Sequence, residues 1–208
     1  MTARPAEASA GSGVEANSRL TAVNGMVLLV LLAVEGLTIL SVRQLITVHI
    51  YLGILLFGPV ALKCASTIYR FGRYYTGAPS YVARGVPNVA LRVLGPIVIL
   101  SSLAVIGTGI GLIYTGPDHS DPLLMLHKAS FVVWFAAMTL HVLGHVLEAS
   151  RTTWSELRDP HASASVRRRR WRSLAIVMSL LAGVGLASAL YPSAHAWTNG
   201  HYAKHGDY

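Results

Sequence analysis

Apolar residues in this chain come in long runs, separated by short polar or basic segments rather than alternating with them. The runs fall at 20–42, 45–69, 91–114, 122–147 and 171–190. Each meets the roughly 20 residues that an α-helix needs to cross the hydrocarbon core of a bilayer. The pattern predicts an all-α integral membrane protein with five transmembrane helices. The first 18 residues, MTARPAEASAGSGVEANS, are small, polar and Pro/Gly-bearing, and are expected to be disordered. They do not read as a cleavable signal, because the apolar run behind them is too long and lacks a small-residue cleavage site. The run at 19–148 is expected to fold as one four-helix membrane bundle. A basic loop at 149–170, the fifth span at 171–191 and a His-containing tail at 192–208 follow it.

Composition agrees with the pattern: 53% of residues are hydrophobic and 12% charged, and the mean hydropathy is +0.51. A net charge of +8 raises the question of nucleic acid, but the basic residues sit between apolar runs and form no nucleic-acid face. They encode orientation instead. Arg70, Arg73, Arg84 and Arg92 follow the second span, and Arg151, Arg158, Arg167–Arg170 and Arg172 follow the fourth, whereas GPDHSD between spans three and four carries Asp118 and Asp121. The positive-inside rule then predicts a cytoplasmic N-terminus and an external C-terminus. The Tyr and Arg residues of FGRYYTGAPSYVARGVPN read as an interfacial belt. With Cys64 as its one cysteine, the chain can form no internal disulfide, no Cys-pair haem attachment and no iron–sulfur cluster.

The chemistry lies in the fourth span, PLLMLHKASFVVWFAAMTLHVLGHVLE, which carries His127, His141 and His145. Ionisable side chains within a span are costly and face a bundle interior where something binds them. His127 and His141 are fourteen residues apart, close to four turns, and so share a face about 21 Å apart along the axis. Spans two and four run in the same direction. His49 lies about four residues into span two and His127 about five into span four, which puts the two at one depth near the outer end. Imidazole is a standard axial ligand for haem iron, and two facing imidazoles at one depth can hold one iron from both sides. Gly36, Gly53, Gly107, Gly109 and Gly111 lie at about that level, where small residues permit close approach. Arg43 and Lys128 stand at the same end, as partners for haem propionates or as snorkelling residues. Glu35 reads as a structural hydrogen-bonding group, with a proton-relay or supporting role beside His49 as the alternative. Lys63 is expected to snorkel towards the cytoplasm. His195, His201 and His205 fit no standard metal spacing, and His119 and His161 read as surface residues.

On RLTAVNGMVLLVLLAVEGLTIL in span one, VHIYLG in span two, GTGIGL in span three and LHKASFVVWFAAMTLH in span four, the chain resembles a known family. It is the membrane cytochrome b subunits of bacterial respiratory formate dehydrogenases and nickel–iron hydrogenases, with the related small four-helix b-type cytochromes. The likeness covers residues 19–147 and leaves out the fifth span and both tails. It implies a haem-binding bundle in a bacterial cytoplasmic membrane, passing electrons between a quinone or quinol and a partner redox protein. His49 and His127 would ligate an outer haem b, and His141 would be the fourth-span ligand of an inner one. That family normally has a histidine shortly after the arginine that opens span one, yet Arg19 is followed here by Leu20, Thr21, Ala22, Val23 and Asn24. The inner haem would lack that partner, so a single haem is expected, with two as the alternative.

The expected role is electron transfer within an oxidoreductase rather than stand-alone bond chemistry, and no motif for nucleophilic or acid–base hydrolysis stands out. Two other classes stay open: a cofactor-free anchor or assembly subunit, and a small transporter with His49, His127, His141 and Glu35 as a polar path.

Overall fold

The computed structural model describes residues 5–83, 89–158 and 166–198, and no strand occurs among them. The helices are α1 (Pro5–Ile39), α2 (Val42–Leu55), α3 (Phe57–Tyr75), α4 (Pro79–Val82), α5 (Val89–Thr115), α6 (Asp121–Arg158), α7 (Val166–Leu190) and α8 (His195–Thr198). Short 3₁₀ turns at Pro117–His119 and Tyr191–Ala194 complete the course. Five helical stretches are long and apolar enough to cross a membrane: Gly13–Ile39, Val42–Tyr75, Val93–Thr115, Asp121–Leu147 and Arg169–Thr198. In lipid the backbone must satisfy its own hydrogen bonds, and a continuous helix does so for nearly every residue of such a run.

The large apolar side chains point outwards. Only 6% of the most apolar window of Asp121–Leu147 and 22% of that of Val42–Tyr75 is buried. Leu37, Leu100, Met125, Val132, Leu140 and Leu147 are all exposed, whereas Asn24, Thr38, Ser66, Ser101 and Ser102 are buried. A water-soluble bundle would invert this arrangement, and apolar surface on this scale marks contact with lipid or with other apolar partners.

Packing defines a four-cornered bundle. α1 packs against α2, α3 and α6, while α5 packs against α6, α2 and α3. Neither α2 with α6 nor α1 with α5 is among the closely packed pairs of the described residues, so each pair occupies opposite corners. α7 lies outside this square, against α2 and α3.

The second span is broken at Leu56, between α2 and α3. Pro59 has no N–H to give the carbonyl of Leu55, four residues back, so the helical bond due there is missing. That carbonyl lies against Gly183 of α7, and Gly58 lies against the carbonyl of Ser179. A Cβ at either glycine would collide with backbone, so the close approach of α7 to the break depends on both. Pro96, by contrast, is carried inside α5 without ending the helix.

Beyond α7 the chain turns back over the end of α5. Trp197 is buried and its Nε1 donates to the carbonyl of Leu112 at 2.7 Å. Ala187 and Ala194, both wholly buried, join Ile54 and Ile113 in an apolar cluster at that end.

The N-terminal segment continues α1: it is helical from Pro5, and within it Val14 is buried and Asn17 Nδ2 donates to the carbonyl of Ser66. Contacts to α3 and a Glu15–Arg19 pair at 2.6 Å hold this turn of helix despite its polar composition. Lys63 finds its partner within the bundle. Its Nζ turns into the bundle and donates to the carbonyl of Thr21 at 2.7 Å, a position available because Gly25 has no side chain there.

Candidate functional site

The four corners of the bundle meet at a polar cluster to which every corner contributes. α2 supplies His49, α6 supplies His127, α1 supplies Glu35 and Thr38, and α5 supplies Thr108 and Gly109. The imidazole rings of His49 and His127 face each other across the diagonal with centroids 6.5 Å apart and planes at 80°. His49 Nδ1 lies 2.8 Å from Glu35 Oε1 and 3.0 Å from Thr38 Oγ1. His127 Nδ1 lies 3.0 Å from Thr108 Oγ1. Gly109 gives the second ring its room, since a Cβ there would stand 3.2 Å from His127 Cε1. Gly53, a turn along from His49, does the same for Glu35, whose Oε1 would lie 3.4 Å from a Cβ.

The hydroxyls fix the tautomer of both rings. Thr38 Oγ1 donates to the carbonyl of Glu35 at 2.6 Å, and Thr108 Oγ1 donates to that of Ala104 at 2.7 Å. A threonine hydroxyl has one proton. With that proton on the helix backbone only the oxygen lone pairs are left for the histidine, an arrangement in which Nδ1 donates; at His49 the Glu35 carboxylate, an acceptor only, selects the same tautomer. In a neutral imidazole the other nitrogen, Nε2, then carries the lone pair. Each ring is held through Nδ1–H by an acceptor on a neighbouring helix, with its basic nitrogen left for another partner, as in metal-ligating histidines generally.

Ring spacing can be compared with what a shared metal requires. A metal–imidazole bond is about 2 Å, so two imidazoles on opposite sides of one metal have ring centres roughly 6 Å apart. The 6.5 Å found between His49 and His127 matches this spacing. Rings that share a metal axis are free to take any angle about it, and 80° is one such angle. No group of three or more His, Cys, Asp or Glu residues that could hold a bare metal ion occurs among the described residues.

The remaining candidates are dispersed. Arg43 and Lys128 lie near the same end as the ring pair, and both are exposed. Gly36 and Gly107 face outwards with open space beside them, while Gly111 packs on Leu123. His141 stacks at 4.9 Å on His145 of its own helix and at 57°, with no imidazole supplied by α1. Thr21 and Asn24 of α1 are turned towards α3. Asn24 is 1% exposed, its Nδ2 donates to the carbonyl of Pro59 at 2.9 Å, and its Oδ1 is buried without a partner. His119 and His195 are exposed. His161, His201, His205 and Arg84 lie outside the described residues, as do the side chains of Arg92, Arg167 and Arg168.

Sequence reading missed the two threonines that orient the rings. Their signal was present: Thr108 sits inside GTGIGL at the level of His127, and Thr38 lies one turn from Glu35. Comparisons with known protein families, curated proteins and solved structures give no match to this chain.

Proposed function

We propose that this chain is a b-type cytochrome of the membrane, an electron carrier that holds one haem b between His49 and His127. The observation that carries the reading is the facing pair of imidazoles, 6.5 Å apart and from opposite corners of the bundle, each committed through Nδ1–H to an acceptor. Two such imidazoles each need a partner for the Nε2 lone pair, and one cation between the rings would serve both. Haem iron answers that requirement with no third protein ligand. The bound group would supply a one-electron couple, and the chain would supply axial nitrogen, ring orientation and a surrounding of low polarity.

One haem, not two, follows from the inner half of the bundle. His141 has its own neighbour His145 as ring partner, and Lys63 reaches across to Thr21 where a second facing ligand would be needed. Arg43 and Lys128, at the correct end, are the residues to pair with propionates. A quinone or quinol and a partner redox protein as the two ends of the electron path are inferred from the likeness to cytochrome b subunits of formate dehydrogenases and hydrogenases. A bacterial cytoplasmic membrane rests on the same likeness. The orientation, N-terminus inside, rests on Arg70, Arg73, Arg151, Arg158, Arg169 and Arg170 at the connections after spans two and four.

An absorption spectrum of the purified protein before and after dithionite tests the proposal. A b-type band that sharpens on reduction is the expected result. A colourless preparation from haem-replete cells would return the chain to the anchor or transporter classes.

A further inference from the structure

The two proposed ligands are not held alike. His127 Nδ1–H faces a neutral hydroxyl, whereas His49 Nδ1–H faces a carboxylate oxygen at 2.8 Å, with the Thr38 hydroxyl sharing the same proton at 3.0 Å. The Glu35 side chain is 12% exposed and its second oxygen, Oε2, is buried with no hydrogen-bond partner. A carboxylate half-satisfied inside an apolar bundle is costly to maintain. Its Oε1 is paired with an imidazole, and a structural hydrogen bond to that ring could have come from Thr38 alone. What a carboxylate adds is negative charge and a stronger acceptor, both directed along the ring to Nε2.

We infer that Glu35 is a positioning residue that sets the redox potential of the group held between His49 and His127, keeping it low by making His49 a stronger electron donor to that group. The inference rests on reading the pair as haem ligands. A carboxylate on Nδ1–H makes the opposite nitrogen more basic. A more basic axial nitrogen and a nearby negative charge both favour the oxidised iron over the reduced, since hydrogen bonding around the ligands and local charge are among the protein's means of setting a haem potential. Thr108 on the other side provides orientation without that bias. Electrons would then arrive at a site whose ferric state is stabilised from α1, the helix diagonal to the one that holds His127's acceptor.

The test is a redox titration of the purified haem-loaded protein, followed by its absorption band, for the wild type, Glu35→Gln and Thr38→Val. Glutamine keeps the size and one acceptor oxygen but removes the charge. Glu35→Gln should keep its haem and shift the midpoint upwards by at least a tenfold change in the reduced-to-oxidised ratio, about 59 mV for one electron. Thr38→Val leaves the carboxylate as sole acceptor and should hold the midpoint at or below the wild-type value. Haem retained in Glu35→Gln with an unmoved or lowered midpoint overturns the inference and leaves the ligand assignment intact. If Glu35→Gln loses the haem, Thr38→Val decides, and a raised midpoint there counts against Glu35. A wild-type protein with no haem refutes the ligand reading itself, and the inference with it.

Discussion

Threonine hydroxyls are the smallest feature on which the account turns. Thr38 and Thr108 each give their proton to a helix carbonyl and so can only accept from a ring. Had Thr108 been a serine turned outwards or a valine, the tautomer of His127 would be undetermined, whereas His49 would keep the Glu35 carboxylate as its acceptor. Thr108→Val should therefore loosen the ring of His127 and weaken haem retention without abolishing it, a loss of about 1 kcal/mol for one neutral hydrogen bond, read as faster haem loss to an apo-globin acceptor. Gly109→Val is the steric counterpart. Its Cβ meets His127 Cε1 at 3.2 Å, and the added methyls should push the ring off axis and cost more haem than Thr108→Val does. Equal retention in wild type and Gly109→Val would mean that this ring holds nothing. The histidines themselves were legible in the sequence, because an ionisable group in an apolar run stands out and a rise of about 1.5 Å per residue gives its depth. The threonines were overlooked although their positions, within GTGIGL and near Glu35, were visible, because a hydroxyl that satisfies itself on its own helix is common in spans.

At the scale of elements, the fifth span was read from sequence as an addition outside the bundle, and the structure gives it a definite seat. α7 packs where α2 gives way to α3, with Gly58 and Gly183 removing the bulk that would separate the backbones and with Leu55's carbonyl freed by Pro59. Gly183→Leu should displace α7, costing about 1–3 kcal/mol for overpacking and shortening the half-life of the folded protein in detergent. The His49–His127 pair lies in the other four helices, so the haem band of what remains folded should keep its shape. A Gly183→Leu protein as stable as the wild type would show that the helices do not meet here. Span positions were recoverable because length and apolarity suffice for them. Helix rotation and neighbours were not, since lipid is as apolar as leucine and a hydropathy run does not say which face is inside. The same blindness explains Lys63. Sequence places a cation in the inner half, but only the missing side chain of Gly25 shows that the nearest acceptor is across the bundle at Thr21. The polar start of α1 was not legible as helix, since its composition is small and polar and the bond from Asn17 Nδ2 to the carbonyl of Ser66 is a long-range contact that no local pattern reports.

For the whole molecule, an apolar exterior around a polar diagonal is the arrangement of a protein that uses lipid as solvent and keeps its chemistry inside. One corner of the square holds each ring, and the other two hold the rings' acceptors, so no helix of the four can be removed without undoing the site. The half of the bundle away from the ring pair offers His141 and His145 on α6 and no imidazole from α1, which makes the two halves of the bundle unlike. Its central claim, that two imidazoles share one iron, is tested most directly by the ratio of haem to chain in purified wild type, His49→Ala, His127→Ala and His141→Ala. The account predicts one haem per chain in the wild type and in His141→Ala, and severe loss in each of the other two. Full haem content in His49→Ala or His127→Ala, or half the wild-type content in His141→Ala, would contradict it.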